Sequence, residues 1–206
     1  MLQTSACLIR KHRYSESSLI LHWFSRDLGR IKTMAKGALR PGSSLGGRLD
    51  FFNEGQIVLS RSKTSDLHAL RDFDLGSSAH GLAAKPENFQ RLCRMVGLVE
   101  AVTEIEIPAP EVFLWFEKWR GWLLLHDSKP ESGVQVELTF LKALGLQPGE
   151  PELHSLPPAL QKTVLCWLHR TKPPSAPDAE GLRQITRWTR RALAQHTGLP
   201  SKNPLH

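Results

Sequence analysis

The sequence predicts an α+β protein, a small β-barrel over residues 1–80 followed by an all-α helical domain over residues 81–206. Three observations predict it. Short apolar runs broken by glycine fill roughly the first 75 residues. From Pro86 the apolar spacing turns helical. Beyond that point the breaks are polar and proline-rich, as in "QPGEPELHSLPP" and "TKPPSAPD".

The strands follow in order. "ACLIRKHR" and "SSLILHWFS" are β-rich runs, and "RDLG" after the second is a turn. "RIKTMAK" alternates, with Arg30, Lys32, Met34 and Lys36 on one face and Ile31, Thr33 and Ala35 on the other. "FFNEGQIVLSR" and "DLHALRDFDL" complete the set. Strands this short, with glycine-rich breaks, suit a closed barrel, because closure removes the sheet edges.

The helices come next. "PENFQRLCRMVGLVEAVTEI" sets Phe89, Leu92, Val96 and Val99 at helical spacing, with Pro86 near its start. "APEVFLWFEKWRGWLLLHD" begins with Pro110 and Glu111, which the helix dipole favours in a first turn. "VQVELTFLKALGLQPG" is stopped by Gly145 and Pro148. "PPALQKTVLCWLHR" is a fourth helix. In a fifth, "DAEGLRQITRWTRRALAQHTG", Asp178 caps the start and Gly198 ends the run.

The net charge is +7 with a pI near 9.6. The charge is unevenly placed: +5 over residues 1–80, −4 over 81–159 and +6 over 160–206. Such a balance favours polyanionic partners. The three cysteines, Cys7, Cys93 and Cys166, are odd in number and lie far apart with no CxxC pair, which supports neither a disulfide framework nor a zinc site. No metal and no cofactor is expected. The N-terminal segment has no run suited to a secretory signal, and Trp119–Leu125 is too short for a membrane span, so a cytoplasmic location is expected.

The stretch from Gly29 to Gly47 holds Arg30, Lys32, Lys36 and Arg40, five glycines and no acid, and Arg48 follows at once. It contains two misleading motifs. "GSSLG" matches the nucleophile elbow of serine hydrolases, yet no βα alternation surrounds it. "GALRPGSS" approaches a P-loop, but Ser43 stands where the phosphate lysine belongs. Asp72 and Asp74 share a strand face like a nuclease metal pair, without a third carboxylate nearby. Trp115, Trp119 and Trp122 share one side of a helix and suit core packing or a partner groove. No base, nucleophile and metal come together, so no enzyme is expected. The positive signal is a basic strand face, an acid-free loop beside it and a second basic group, Arg187, Arg190 and Arg191, on the last helix. Tyr14, Trp23 and Phe24 are candidates for base stacking, although Trp23 and Phe24 point to opposite faces, so at most one is exposed.

The order of residues resembles the N-terminal domain of the bacterial RecO family. The likeness lies in Tyr14, Glu16, the apolar Leu19–Phe24, Gly29, Ala35–Lys36–Gly37, Arg40, Ser44, Leu49 and Phe51–Phe52. "ELTFLKALGLQP" and "RALAQHTGLPSKNPL" continue it through the helical half. The resemblance implies an OB-fold barrel joined to a helical domain. It implies a non-enzymatic recombination mediator in DNA repair that binds single- and double-stranded DNA and anneals complementary strands. Such a protein works with RecR to load RecA on DNA coated by the single-strand-binding protein (SSB), whose acidic C-terminal tail it binds; a nucleoid-associated place follows. By motif, Lys36 and Arg40 become DNA contacts in the first domain, and Arg190 and Arg191 in the last helix. The charge pattern adds Arg30, Lys32 and Arg48. Many members carry a four-cysteine zinc site after the "LG-x-x-P" segment, whereas "QPGEPELHSLPPALQ" has no cysteine here. Charge and barrel alone fit two other readings, an OB-fold RNA-binding protein and an adapter for acidic tails.

Overall fold

The computed structural model describes residues 1–169 and 171–198. Five strands open the chain: β1 (Leu2–Arg13), β2 (Leu19–Ser25), β3 (Gly29–Ala35), β4 (Glu54–Ser60) and β5 (Leu67–Ser77). They close into a barrel in the order β1-β2-β3-β5-β4. All pairs are antiparallel except β3 with β5, where Lys32–Met34 run parallel to Leu67–Ala69. Order and orientation are those of the OB fold. Closure rests on the length of β1. Leu2–Cys7 pairs with β4 and Ala6–Arg13 with β2, so Ala6 and Cys7 are paired on both sides, and a register shift between Leu8 and Arg10 falls within the β2 pairing.

The pleat sets the core. On β3, burial alternates residue by residue, with Ile31, Thr33 and Ala35 inside and Arg30, Lys32 and Met34 outside, as the sequence pattern requires. Leu8, Leu21, Trp23, Ile57, Leu59 and Phe73 fill the rest of the interior, each worth about 1.5–3 kcal/mol when fully buried. Trp23 is wholly enclosed, and its indole N–H donates to Thr33 Oγ1 at 2.8 Å. Thr33→Val keeps the shape but strands that N–H. We expect a loss of about 1–3 kcal/mol in urea unfolding, and a much smaller further loss from Thr33→Val when it is made in a Trp23→Phe background.

Helices α1 (Pro86–Val102), α2 (Pro110–Leu125), α3 (Pro130–Ala143), α4 (Glu150–Leu153), α5 (Pro158–Leu168) and α6 (Ala179–Thr197) follow. The four-residue α4 was not foreseen; a single turn leaves no periodicity to read. The other five lie where the apolar spacing puts them. Asp178 Oδ1 accepts the Gly181 N–H at 2.7 Å, and Gly198 ends α6 at φ 66°. Gly145, at φ 72°, ends α3.

The strand-to-helix change falls near residue 80, but compactness divides the chain elsewhere. One unit is Met1–Val96 with Thr103–Leu125, and the other is Gly97–Val102 with His126–His206. The first unit keeps α2 because α2 covers the outside of the barrel. Phe24 leaves the barrel wall to pack edge-on against Phe113 and Phe116, with ring centroids 5.3 and 5.7 Å away. Arg120, 2% exposed, reaches from α2 to the barrel and donates to Phe52 O, Glu54 Oε2 and Ser77 O. The second unit has its own core of Val134, Leu138, Val164, Trp167, Leu168 and Ile185 from α3, α5 and α6.

Candidate nucleic-acid interface

The acid-free segment between β3 and β4 is more ordered than its glycines suggest. It runs as consecutive turns: Arg40 N–H donates to Gly37 O, Ser43 N–H to Arg40 O, Gly46 N–H to Ser43 O and Arg48 N–H to Leu45 O, all at 3.1–3.2 Å. Ala38, Leu45 and Leu49 point inward and belong to the barrel core. Ser44 of "GSSLG" is exposed within these turns rather than raised on a strand-to-helix elbow. The loop is a shaped plate, with apolar residues beneath and Lys36, Leu39, Arg40 and Ser44 on top.

The structure sorts the seven predicted contacts. Lys36 and Arg40 are exposed, and no carboxylate among the described residues pairs with either. Gly37 takes left-handed backbone at φ 69°, which glycine adopts without strain, and the Arg40 side chain lies beside it. Lys32 faces outward but holds Asp66 Oδ2 at 2.8 Å in an exposed pair, and Lys32 in turn keeps the Asp66 carboxyl below its ordinary range. Arg30 spends its guanidinium on Thr103, with Nε donating to Oγ1 at 2.9 Å and a terminal nitrogen to the carbonyl. Arg48 is a rivet for the loop, donating to Ser44 O at 2.7 Å and to Phe73 O, with Asp72 Oδ1 3.7 Å away. In the second unit, Arg190 is half-buried with Nε 3.6 Å from the buried Glu137 carboxylate, while Arg191 is exposed. Arg183 and Arg187 both hold Glu180.

Of the aromatic candidates, only Tyr14 is available, 61% exposed in the β1–β2 turn. Trp23 and Phe24 are both fully buried, so the expectation that one of them could stack on a base is corrected. Trp23 faces the barrel interior, and α2 covers the outward Phe24.

Two further basic groups lie outside the seven predicted contacts. Lys11 and Arg13, flanking His12 at the end of β1, form one lip of a groove of about 490 Å³ whose floor is Leu19, Leu45 and Leu49, and Lys11 holds Asp50 of the same groove at 2.8 Å. Arg61 and Lys63 sit in the β4–β5 loop beside a second opening of about 440 Å³. "IRKHR" and "RSKTSD" carry that signal in the sequence. Among the described residues, no group of three His, Cys, Asp or Glu side chains could hold a metal ion. Cys7 is buried beside Arg120, and burial pushes its thiol up to about 12, against the lowering pull of the arginine. No helix among the described residues is long and apolar enough to cross a membrane.

A closed five-stranded barrel in OB order, with exposed cations on the plate between β3 and β4, defines the class as the OB-type barrel proteins. Comparison with known proteins narrows the class. Residues 1–78 match the family model for the recombination protein O N-terminal domain. The chain is 34% identical over 149 residues to the DNA repair protein RecO of Salinibacter ruber, covering 72% of this chain and 57% of that protein. It is 32% identical over 141 residues to the RecO of Vibrio atlanticus, covering 67% of this chain and 55% of that protein. With the Chlorobium luteolum RecO the identity is 29% over 153 residues, covering 74% of this chain and 57% of that protein. Residues 1–78 thus carry the RecO N-terminal domain, the chain is similar to RecO proteins over about 70% of its length, and it spans little more than half the length of the relatives it matches.

Proposed function

We propose that this chain binds DNA without sequence preference and acts as a non-enzymatic mediator of recombination in DNA repair. The observation that carries the reading is the pair Lys36 and Arg40, unopposed cations held by consecutive turns on the plate between β3 and β4 of an OB barrel. Lysine and arginine neutralise phosphates and release counterions, a grip indifferent to base sequence. The relatives' name, DNA repair protein, agrees with it. Strand annealing, loading of RecA with RecR, binding of the SSB tail and a nucleoid-associated place in the cytoplasm belong to the same reading. Within it we rank Lys36, Arg40 and Arg191 as direct contacts and Lys32 as one that must first leave Asp66. We rank Arg30, Arg48 and Arg190 as residues that shape the surface.

The test is fluorescence anisotropy of labelled single-stranded DNA over a salt series. Contact with about four phosphates gives a slope near −3 in log K against log salt, at about −0.7 per phosphate. Lys36→Ala with Arg40→Ala is expected to weaken binding about tenfold or more at moderate salt, equally on unrelated sequences, and to flatten the slope by about 1.4. Unchanged affinity would sink the assignment, and a several-fold preference for RNA would move the protein to RNA metabolism. The groove with a leucine floor and a Lys11–Arg13 lip favours a second reading, docking of an acidic peptide tail. Tail binding that survives in a chain unable to bind DNA would put that reading first.

A further inference from the structure

The β4–β5 loop carries chemistry that the β3 face does not use. Together with Ile105 and Glu106 it walls the open pocket of about 440 Å³. At its base lies His68, 3% exposed. The Ser62 N–H donates to His68 Nδ1 at 3.2 Å, so that nitrogen carries no proton, and the Nε2–H donates to Glu106 Oε1 at 2.7 Å. Arg61 holds the other carboxylate oxygen, Oε2, at 3.1 Å. Both Glu106 oxygens are thus gripped by donors from the loop and the start of β5. Glu106 itself stands at φ 60°, left-handed backbone that costs a non-glycine residue of order 1–3 kcal/mol and that gathers at ligand clamps and switches. It is held in that shape by its own N–H, which donates to Arg30 O at 2.8 Å, and by the bridge between Ile105 and Arg30. Lys63, Ser62 and Ser65 border the same opening. The loop's one acid, Asp66, is paired with Lys32.

We propose that this pocket is a phosphate site, that its ligand is a backbone phosphate of single-stranded nucleic acid, and that Glu106 closes it from within as an internal competitor. A strained residue that delivers a carboxylate to an imidazole N–H and a guanidinium occupies the place an incoming oxyanion would take. With Glu106 displaced, one phosphate oxygen receives the His68 Nε2–H, a second receives Arg61, and the Lys63 ammonium adds charge from the rim. The place suits the path: Lys32 sits opposite Leu67, next to the loop, so a strand crossing β3 from Lys36 reaches the loop after about 13 Å, four residues at 3.3 Å each. The inference rests on the nucleic-acid reading above.

The experiment uses the whole chain and labelled single-stranded DNA over a salt series. Glu106→Gln is expected to tighten binding several-fold. Glu106→Gly, which also relieves the backbone, should do the same and guards against a glutamine amide that still fills the site. Arg61→Ala should weaken binding several-fold and flatten the salt slope by about 0.7, and the gain from Glu106→Gln should vanish in the double variant. Circular dichroism melts check that each variant folds. If Lys36→Ala/Arg40→Ala weakens DNA binding while the Glu106 and Arg61 variants bind as the parent does, the pocket proposal fails and the nucleic-acid reading survives. If no form binds DNA at low salt, both fall. Inorganic phosphate at millimolar concentration is added to Glu106→Gln while the His68 ring nitrogens are followed by NMR. A shift there, with DNA affinity indifferent to Glu106 and Arg61, would assign the pocket to free phosphate and overturn the nucleic-acid ligand.

Discussion

Arg120→Met is expected to cost about 3–5 kcal/mol, the usual penalty for removing one partner of a buried ion pair. The arginine lies within α2, and its guanidinium ends on Phe52 O at 2.6 Å, Glu54 Oε2 at 2.6 Å and Ser77 O at 3.0 Å. Phe52 has φ 64°, so its carbonyl projects from a backbone that cannot rearrange freely to find another donor. Methionine fills the space of the arginine stem but leaves that carbonyl and the Glu54 carboxylate without their cation. The pH dependence gives a signature. Burial pushes the Glu54 carboxyl up, against the pull of Arg120, so losing the arginine raises it further. A raised carboxyl stabilises the fold below its unfolded value of about 4.3, and that stability drains away as pH climbs through the folded value. The deficit of Arg120→Met should therefore be smallest near pH 4–5 and largest at neutral pH. Urea titrations at both settle it, and a deficit that does not change with pH would contradict this account.

Gly29→Ala is expected to be nearly as damaging, at about 3 kcal/mol or more from left-handed strain and overpacking together. Gly29 has φ 67°, and a Cβ there would lie 2.0 Å from Ile107 O. That atom belongs to backbone, so neither partner yields by a rotamer change. The segment from Thr103 to Ile107 would have to leave β3, breaking the Glu106 N–H bond to Arg30 O and the hold of Arg30 on Thr103. The melting temperature should fall by about 10 °C or more. Parental stability would show that the segment docks only loosely.

Much of the fold was legible because period and punctuation are local. The β3 alternation, the Asp178 cap and the Gly145 stop each depend on residues within a turn or two, and each appears where the sequence puts it. Pairing over distance was not legible. Arg30 and Arg48 read as free charges, yet Arg30 is spent on Thr103, 73 residues away, and Arg48 on Phe73 O, 25 residues away, besides the nearby Ser44 O. Formal charge is visible in one residue; whether that charge is spent depends on the fold. The same limit hid Phe24, whose cover comes from α2, and the anchoring of the glycine loop by Ala38, Leu45 and Leu49. Arg120 had a readable sign: it falls on the Phe113, Phe116 and Leu123 face of α2, where a charge demands a partner.

In the proposed DNA-binding role, the leucines beneath the plate would couple ligand occupancy to folding. Because Leu45 and Leu49 belong both to the barrel core and to the segment that presents Lys36 and Arg40, unfolding the barrel destroys the cationic surface. Any polyanion that binds this surface and not the unfolded chain must then raise the melting temperature, by about 2.7 kcal/mol of added stability at a hundred times the dissociation constant. Linkage works in reverse as well. Leu45→Ala removes no charge, yet by loosening the plate it should lower affinity for DNA, so heat resistance and grip on the ligand rise and fall together.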